Sequence, residues 1–374
     1  MSSSLDSEQD LELKLRAMRY FWSLGYFTRR NVPLLEPQAS GKQYTDIDVL
    51  AVKLDEELNS QFLVCDCKSG TQTKTRERFF WLSGVMKFFG APQGVFIRTR
   101  IFESKYAELA KRLGIIPLSA SQLGELEKVY SVDSSFFGAF SKESVKSEKL
   151  FSILHQFAPE ISDYLRTFYW ADLPPQQITT LIVCSKRING LEEIDEKAKN
   201  FLVSYLLSLL SLSVVRFAKN LIVIPDSEKS EYVRLELLGG AMEHNARTEL
   251  LGGFYNFMTS EIQTRYKVKY PITKSQFLES LTPGYSKYLV DLLMRLSLNP
   301  RHYVSLPKLM DLLAHEGVLA SRSLHIQDMV ESSIYVDPKV LIKPMIDFIT
   351  FAERSEIITM SQSIAFKEIV SSIS

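Results

Sequence analysis

The chain has 374 residues, 45% of them hydrophobic and 24% charged, and its 44 Lys and Arg balance 44 Asp and Glu, so the formal net charge is zero. That length buries a large core and suits two domains or more, and any affinity for a polyanion has to come from a local patch. Three cysteines, Cys65, Cys67 and Cys184, exclude a disulfide framework and fit a reducing cytoplasm.

In chain order, residues 1–10 are short, polar and acidic, with no targeting signal. Residues 11–24 read as a helix closed by Gly25-Tyr26, followed by two apolar, β-branched runs at 44–52 and 61–70. The seven residues between, 54–60, are turn-like, so the runs form a hairpin. A helix over 75–89, a strand over 94–98, a helix over 103–113 and a closing strand over 114–118 complete an α/β unit. Trp81, Leu82, Val85, Met86 and Phe89 recur at helical spacing and read as core.

The serine- and charge-rich stretch 131–149 reads as a linker between an N-terminal domain over 1–130 and a mainly helical domain over 150–374. Helices are expected over 151–168, 193–212, 245–261, 274–281, 287–296, 306–316 and 338–352, with one strand at 217–225. The apolar run 201–215 is too short and too rich in serine to span a bilayer, which takes about 20 residues, and reads as a buried helix. No Walker A motif, paired metal-ligand histidines or nucleophile elbow is present. His244 reads as an ordinary polar residue near a helix start.

The hairpin carries the chemistry. If its turn pivots near Glu57, cross-strand partners have numbers that sum to 114, which sets Asp48 against Asp66 and Asp46 against Lys68. Like charges placed opposite one another destabilise a sheet, and both strands are otherwise apolar. Two carboxylates there are expected to bind a cation or share a proton. Hard oxygen donors point to Mg²⁺ or Mn²⁺. Cys65 and Cys67 flank Asp66 and so project from the opposite face, which excludes a zinc site through them.

Asp48 followed by Asp66-Cys67-Lys68 at the end of the next strand, after a helix with an acidic start, resembles the PD-(D/E)xK nuclease superfamily. The resemblance covers about the first 130 residues and implies a restriction-endonuclease-like fold, a mixed central sheet flanked by helices. Its closing elements look like those of Mrr-type restriction endonucleases and archaeal Holliday junction resolvases. The chain departs from the family pattern in lacking Pro-Asp: Thr45 precedes Asp46, and either Asp46 or Asp48 can stand for the metal aspartate, with Asp48 favoured by register. For the acid of the first helix, Glu12 is the best-placed candidate and Glu8 the second.

The resemblance implies that Asp48, Asp66 and the backbone carbonyl of Cys67 hold Mg²⁺, with Glu12 contributing directly or through water. Lys68 then orients the attacking water and stabilises the phosphate. Between residues 61 and 112 there are ten Lys/Arg against four acids, a local balance of 10 − 4 = +6. A basic patch beside a two-carboxylate site suits a phosphodiester backbone. Lys74, Arg76 and Arg78 open the helix just after Ser69-Gly70-Thr71, and Arg78 is the one expected to face the site. The sequence thus suggests a Mg²⁺-dependent endonuclease in the cytoplasm, acting on DNA in a prokaryotic restriction, defence or repair setting by analogy with the fold. The competing reading is an inactive nuclease fold that binds nucleic acid or serves as a scaffold. In either case the helical region is free to dimerise or to bind a partner protein.

Overall fold

The computed structural model describes residues 8–35, 43–70, 74–130, 132, 144–238, 244–268, 272–325 and 338–373. Helix α1 (Glu8–Ser23) leads into an antiparallel meander of β1 (Phe27–Leu35), β2 (Gln43–Leu54) and β3 (Ser60–Lys68). Helix α2 (Thr75–Phe89), β4 (Gln93–Arg98), α3 (Ala107–Arg112), β5 (Ile115–Ser119) and α4 (Ala120–Val129) follow. The sheet runs β1-β2-β3-β4-β5, with β3, β4 and β5 mutually parallel. A mixed five-stranded sheet flanked by helices is therefore present in the N-terminal part of the chain, and the remainder is mostly helical.

The hairpin turn sets the register on which the site depends. One carboxylate oxygen of Asp55 accepts the N–H groups of Glu57 (3.0 Å) and Asn59 (2.8 Å), while Leu58 turns its side chain inward at φ 62°. The ladder then runs from Leu54↔Ser60 to Val49↔Cys65, every pair summing to 114 as expected. Asp48 and Asp66 are the next position along. The expected Asp46–Lys68 facing is not part of the ladder. Asp46 pairs with Pro33 and Lys68 with Arg98.

Strand β1 was not expected, because Arg29, Arg30, Asn31 and Pro33 interrupt its apolar pattern. It is the edge strand, where a proline can be accommodated, and its buried Arg29 is matched by a helix from the other half of the chain. Gly94 in β4 permits the close approach of α2: a Cβ there would lie 2.5 Å from Met86 Sδ. Gly90 ends α2 in the left-handed conformation, at φ 63°.

Beyond residue 130 the chain forms α5 (Ser144–Phe157), α6 (Pro159–Arg166), α7 (Pro174–Asn189), α8 (Glu196–Leu221), α9 (Asp226–Leu238), α10 (His244–Tyr266), α11 (Lys274–Leu281) and α12 (Ser286–Leu298). Helices α13 (Leu306–Leu312), continued by a π-helical turn (Leu313–Leu319), α14 (Pro338–Arg354) and α15 (Met360–Ser371) complete it. Of the 131–149 stretch, residues 131 and 133–143 lie outside the described residues, as do residues 1–7 and Thr71. The expected strand at 217–225 is absent. Phe217, Ala218 and Leu221 extend the buried stripe of α8 at helical spacing, so the helix runs through them. Helix α8 is long and apolar enough to cross a bilayer, and 94% of its most apolar window is buried within the fold.

One sheet face, with Val49, Cys65 and Cys67, shares a continuous core with α1, α8 and α13. The other, with Leu50, Val64 and Phe96, packs under Phe79 and Leu82 of α2. The two cysteines thus face the helical half, away from the carboxylates. Burial raises both thiol pKa values.

Candidate active site

Asp48, midway along β2, and Asp66, near the end of β3, meet just past the last paired position of the β2–β3 ladder, enclosed by side chains from α1 and α2. Lys68 Nζ bridges them, 3.0 Å from Asp48 Oδ2 and 3.2 Å from Asp66 Oδ1. Arg78, one turn into α2, grips Asp66 as a fork: its Nε lies 2.8 Å from Oδ2, and its NH2 group meets Oδ1. The Arg78 guanidinium also stacks 4.1 Å over the Trp81 ring. Asp66 is fully buried and Asp48 nearly so.

Helix α1 supplies a cation that the sequence did not single out. Lys14 Nζ lies 2.9 Å from Asp48 Oδ1 and donates to Asn31 Oδ1 at 3.0 Å. Asn31 is bracketed in the β1–β2 register by Arg30↔Val49 and Val32↔Ile47, so it lies level with Asp48. Its φ of 51° is a left-handed conformation that asparagine tolerates better than most residues. The Cys67 main chain faces the site through its N–H, which donates to Asp48 Oδ2 at 2.8 Å.

Glu12 does not join this cluster. Two residues from Lys14 on a helix, it projects from nearly the opposite side and pairs with Arg19 at 3.2 Å. Glu8 opens α1 and is exposed. The helix acid on the Lys14 side is Asp10, four residues earlier and one turn away. Its Oδ1 accepts the N–H of Ser69 at 2.8 Å, tying the helix start to the chain just past Lys68. The spacing of Asp10 and Lys14 was the available signal.

The electrostatics follow from these contacts. Burial pushes the Asp48 carboxyl up, but the Lys68 and Lys14 ammoniums and the Cys67 N–H outweigh it and hold the pKa at about 2. For Asp66, burial together with repulsion from Asp48 outweighs Arg78 and Lys68, and its pKa is raised. The pair titrates as a unit in which Asp48 ionises first. Lys68 loses solvation, yet Asp66 and Asp48 raise its pKa, so it is a cation at neutral pH. Its chemistry here is that of a hydrogen-bond donor and phosphate partner.

Of the other basic residues expected at the site, Lys74 is exposed and pairs with Glu77 at 3.3 Å, and Arg76 is exposed. Both lie on the surface of the first turn of α2.

Among the described residues no group of three or more His, Cys, Asp or Glu is gathered so as to hold a metal ion. The donor set is two carboxylates, which fits a Mg²⁺ or Mn²⁺ ion that keeps its waters and is anchored by one or two carboxylates. It does not fit an all-protein cage. All four carboxylate oxygens already meet Lys14, Lys68 or Arg78, so a metal ion competes with these cations for the carboxylate lone pairs. No protein-family model, no curated protein and no solved structure matches the chain.

Proposed function

We propose that the chain is a metal-dependent phosphodiesterase acting on nucleic acid, most simply an endonuclease on DNA, built on a restriction-endonuclease-like N-terminal domain. The observation that carries this reading is the adjacent Asp48–Asp66 pair bridged by Lys68, where the β2–β3 ladder stops, beside a helix capped by Lys74 and bearing Arg76 and Arg78. The order of helix, antiparallel strands, helix and parallel strand supports it, as does the local excess of positive charge.

Asp48 and Asp66 would hold the ion, and Asp10 replaces Glu12 as the helix acid nearest to it. A bound divalent ion supplies an acidified water and neutralises charge on the phosphate oxygens. Lys68, fixed as a cation by both carboxylates, donates to a phosphate oxygen or to the water that attacks it. Arg78 positions Asp66 through its fork and presents positive charge to the strand. Lys74 and Arg76 attract the backbone from the surface.

Cleavage of plasmid, single-stranded DNA and RNA with Mg²⁺, Mn²⁺ or EDTA tests the proposal. Lys68→Met should lower cleavage at least about a hundredfold, the scale of losing a transition-state donor. Unchanged cleavage in Lys68→Met removes the assignment. A specific observation favours a second reading: every carboxylate oxygen is already matched by a protein cation, which is what a nuclease fold retained only for binding would show. Tight nucleic-acid binding without cleavage under any metal condition would establish that reading.

A further inference from the structure

Helix α2 has a third face that neither the core nor the carboxylate pair uses. Phe79, Leu82 and Met86 are buried in the core, and Arg78, stacked on Trp81, grips Asp66. Outward, Phe80 and Phe88 lie about two turns apart and expose 57% and 59% of their surface to water. Residues four and eight apart share one broad side of a helix, and eight residues rise roughly 12 Å. Gly84, midway between the two rings, is exposed, and a Cβ built there would meet nothing within 4 Å. The helix backbone is therefore bare between them. The Phe88 ring is braced against Phe89, with centres 5.5 Å apart, and Phe89 in turn lies 6.3 Å from Phe62 of β3.

The charge on this face is positive. Arg76 lies one turn before Phe80, and Lys87 is next to Phe88; both are exposed, and among the described residues neither is in an ion pair. The acid of α2, Glu77, is already met by Lys74 at 3.3 Å. Lys74, Arg76 and Lys87 against Glu77 leave 3 − 1 = +2. A further guanidinium is held at the same end of the helix. Arg98 donates to Thr75 Oγ1 at 2.8 Å and to the carbonyls of Arg100 and Ile101 at 3.0 and 2.6 Å, which fastens the exposed Arg100 to the first turn of α2. Exposed rings interleaved with unpaired cations suit a strand of bases and phosphates.

We propose that this face of α2 is a stacking platform for single-stranded DNA, set beside the Asp48–Asp66 pair. The inference rests on the nucleic-acid reading of that pair and names the form of the substrate. An unpaired base offers a free π-face to Phe80 or Phe88, whereas in a duplex both faces of each base are covered by its neighbours. Phosphates along the strand meet Arg76, Lys87 and Arg100. Gly84 keeps the path across the helix open, because a side chain there would stand between the two rings. Stacking tolerates any base, so the platform selects a single strand and not a sequence.

Fluorescence anisotropy of the full chain with a labelled oligothymidylate and with a DNA duplex of equal length, both in EDTA so that metal-dependent cleavage is suppressed, tests it. The single strand should bind more tightly than the duplex. Phe80→Leu and Phe88→Leu, which keep apolar bulk and lose the ring, should each weaken single-strand binding at least about fivefold, the scale of losing one stacked base. Both should leave duplex binding and the DNA-free melting temperature unchanged, and Phe80→Trp should retain single-strand binding. Tighter binding to the duplex, ring-less variants that bind the strand as the unaltered protein does, or capture of anionic lipid vesicles with no affinity for the oligonucleotide would overturn the proposal. Because binding is read without metal, its failure is distinct from failure of the metal site. Ring-dependent strand binding with no cleavage under Mg²⁺ or Mn²⁺ upholds the platform and removes only the nuclease reading.

Discussion

Two buried charge clusters flank strand β1, and they are built to opposite rules. Around Asp48 and Asp66 each carboxylate oxygen meets an ammonium, a guanidinium or an N–H. Around Arg29 and Asp311 four buried polar atoms have no hydrogen-bond partner. A self-compensated cluster is stable without a ligand, and a cation that enters it competes with the partners already there. In the second cluster those atoms, which belong to Thr28, Arg29, Asp311 and His315, sit beside the 2.9 Å ion pair of Arg29 and Asp311.

The largest expected effects come from breaking each cluster. Asp48→Ala removes the carboxylate 2.9 Å from the buried Lys14 ammonium, and Asp311→Ala removes the one 2.9 Å from Arg29. Each should cost about 3–5 kcal/mol of unfolding free energy in chemical denaturation. A loss below about 1 kcal/mol would show that water reaches the stranded cation and that the cluster is not buried as described.

Next in size is the pH dependence of the second cluster. The His315 pKa is about 4 in the folded chain against the ordinary imidazole value of about 6.5, so between these values the unfolded chain binds the extra proton. Stability is therefore full above about pH 6.5 and falls by about 3 kcal/mol as pH drops to about 4. His315→Gln should flatten that window. Asp48 acts in a separate window: its contribution, present above about pH 4, is lost as pH falls through about 2.

A smaller effect separates the two rules directly. Lys14→Met removes the cation that lies on Asp48 Oδ1, and Mn²⁺ affinity measured by calorimetry should rise at least about tenfold as a like charge is withdrawn. Equal affinity in the two proteins would mean that Lys14 does not compete with the metal. The smallest effect is expected at the surface. Lys74→Ala and Arg76→Ala should change stability by less than about 0.5 kcal/mol, while each lowers the salt slope of nucleic-acid binding by about one.

Much of the first cluster was legible because a strand has a period of two. Alternation and the turn around Asp55 fixed the 114 register, which brought Asp48 to Asp66 and turned Cys65 and Cys67 away. Arg78 could be read as well, being one turn beyond a helix start. Glu12 could not be placed, because choosing among the acids of α1 requires the helix rotation, and that is set by packing of Leu13, Ala17 and Phe21 against the sheet. Strand β1 was hidden by Arg29, whose burial is intelligible only with Asp311, 282 positions away by 311 − 29. The strand expected at 217–225 failed for the converse reason: the helix before it takes residues 217–221, and Ile222, Val223 and Ile224 form the turn that ends it.

The most direct test of the central claim is anomalous diffraction from crystals of the full chain soaked in Mn²⁺. A peak is expected within ligand distance of both Asp48 and Asp66, with the Lys14 ammonium displaced from Asp48 Oδ1. A pair that keeps Lys14, Lys68 and Arg78 in place, with no peak between its carboxylates at saturating Mn²⁺, would contradict it.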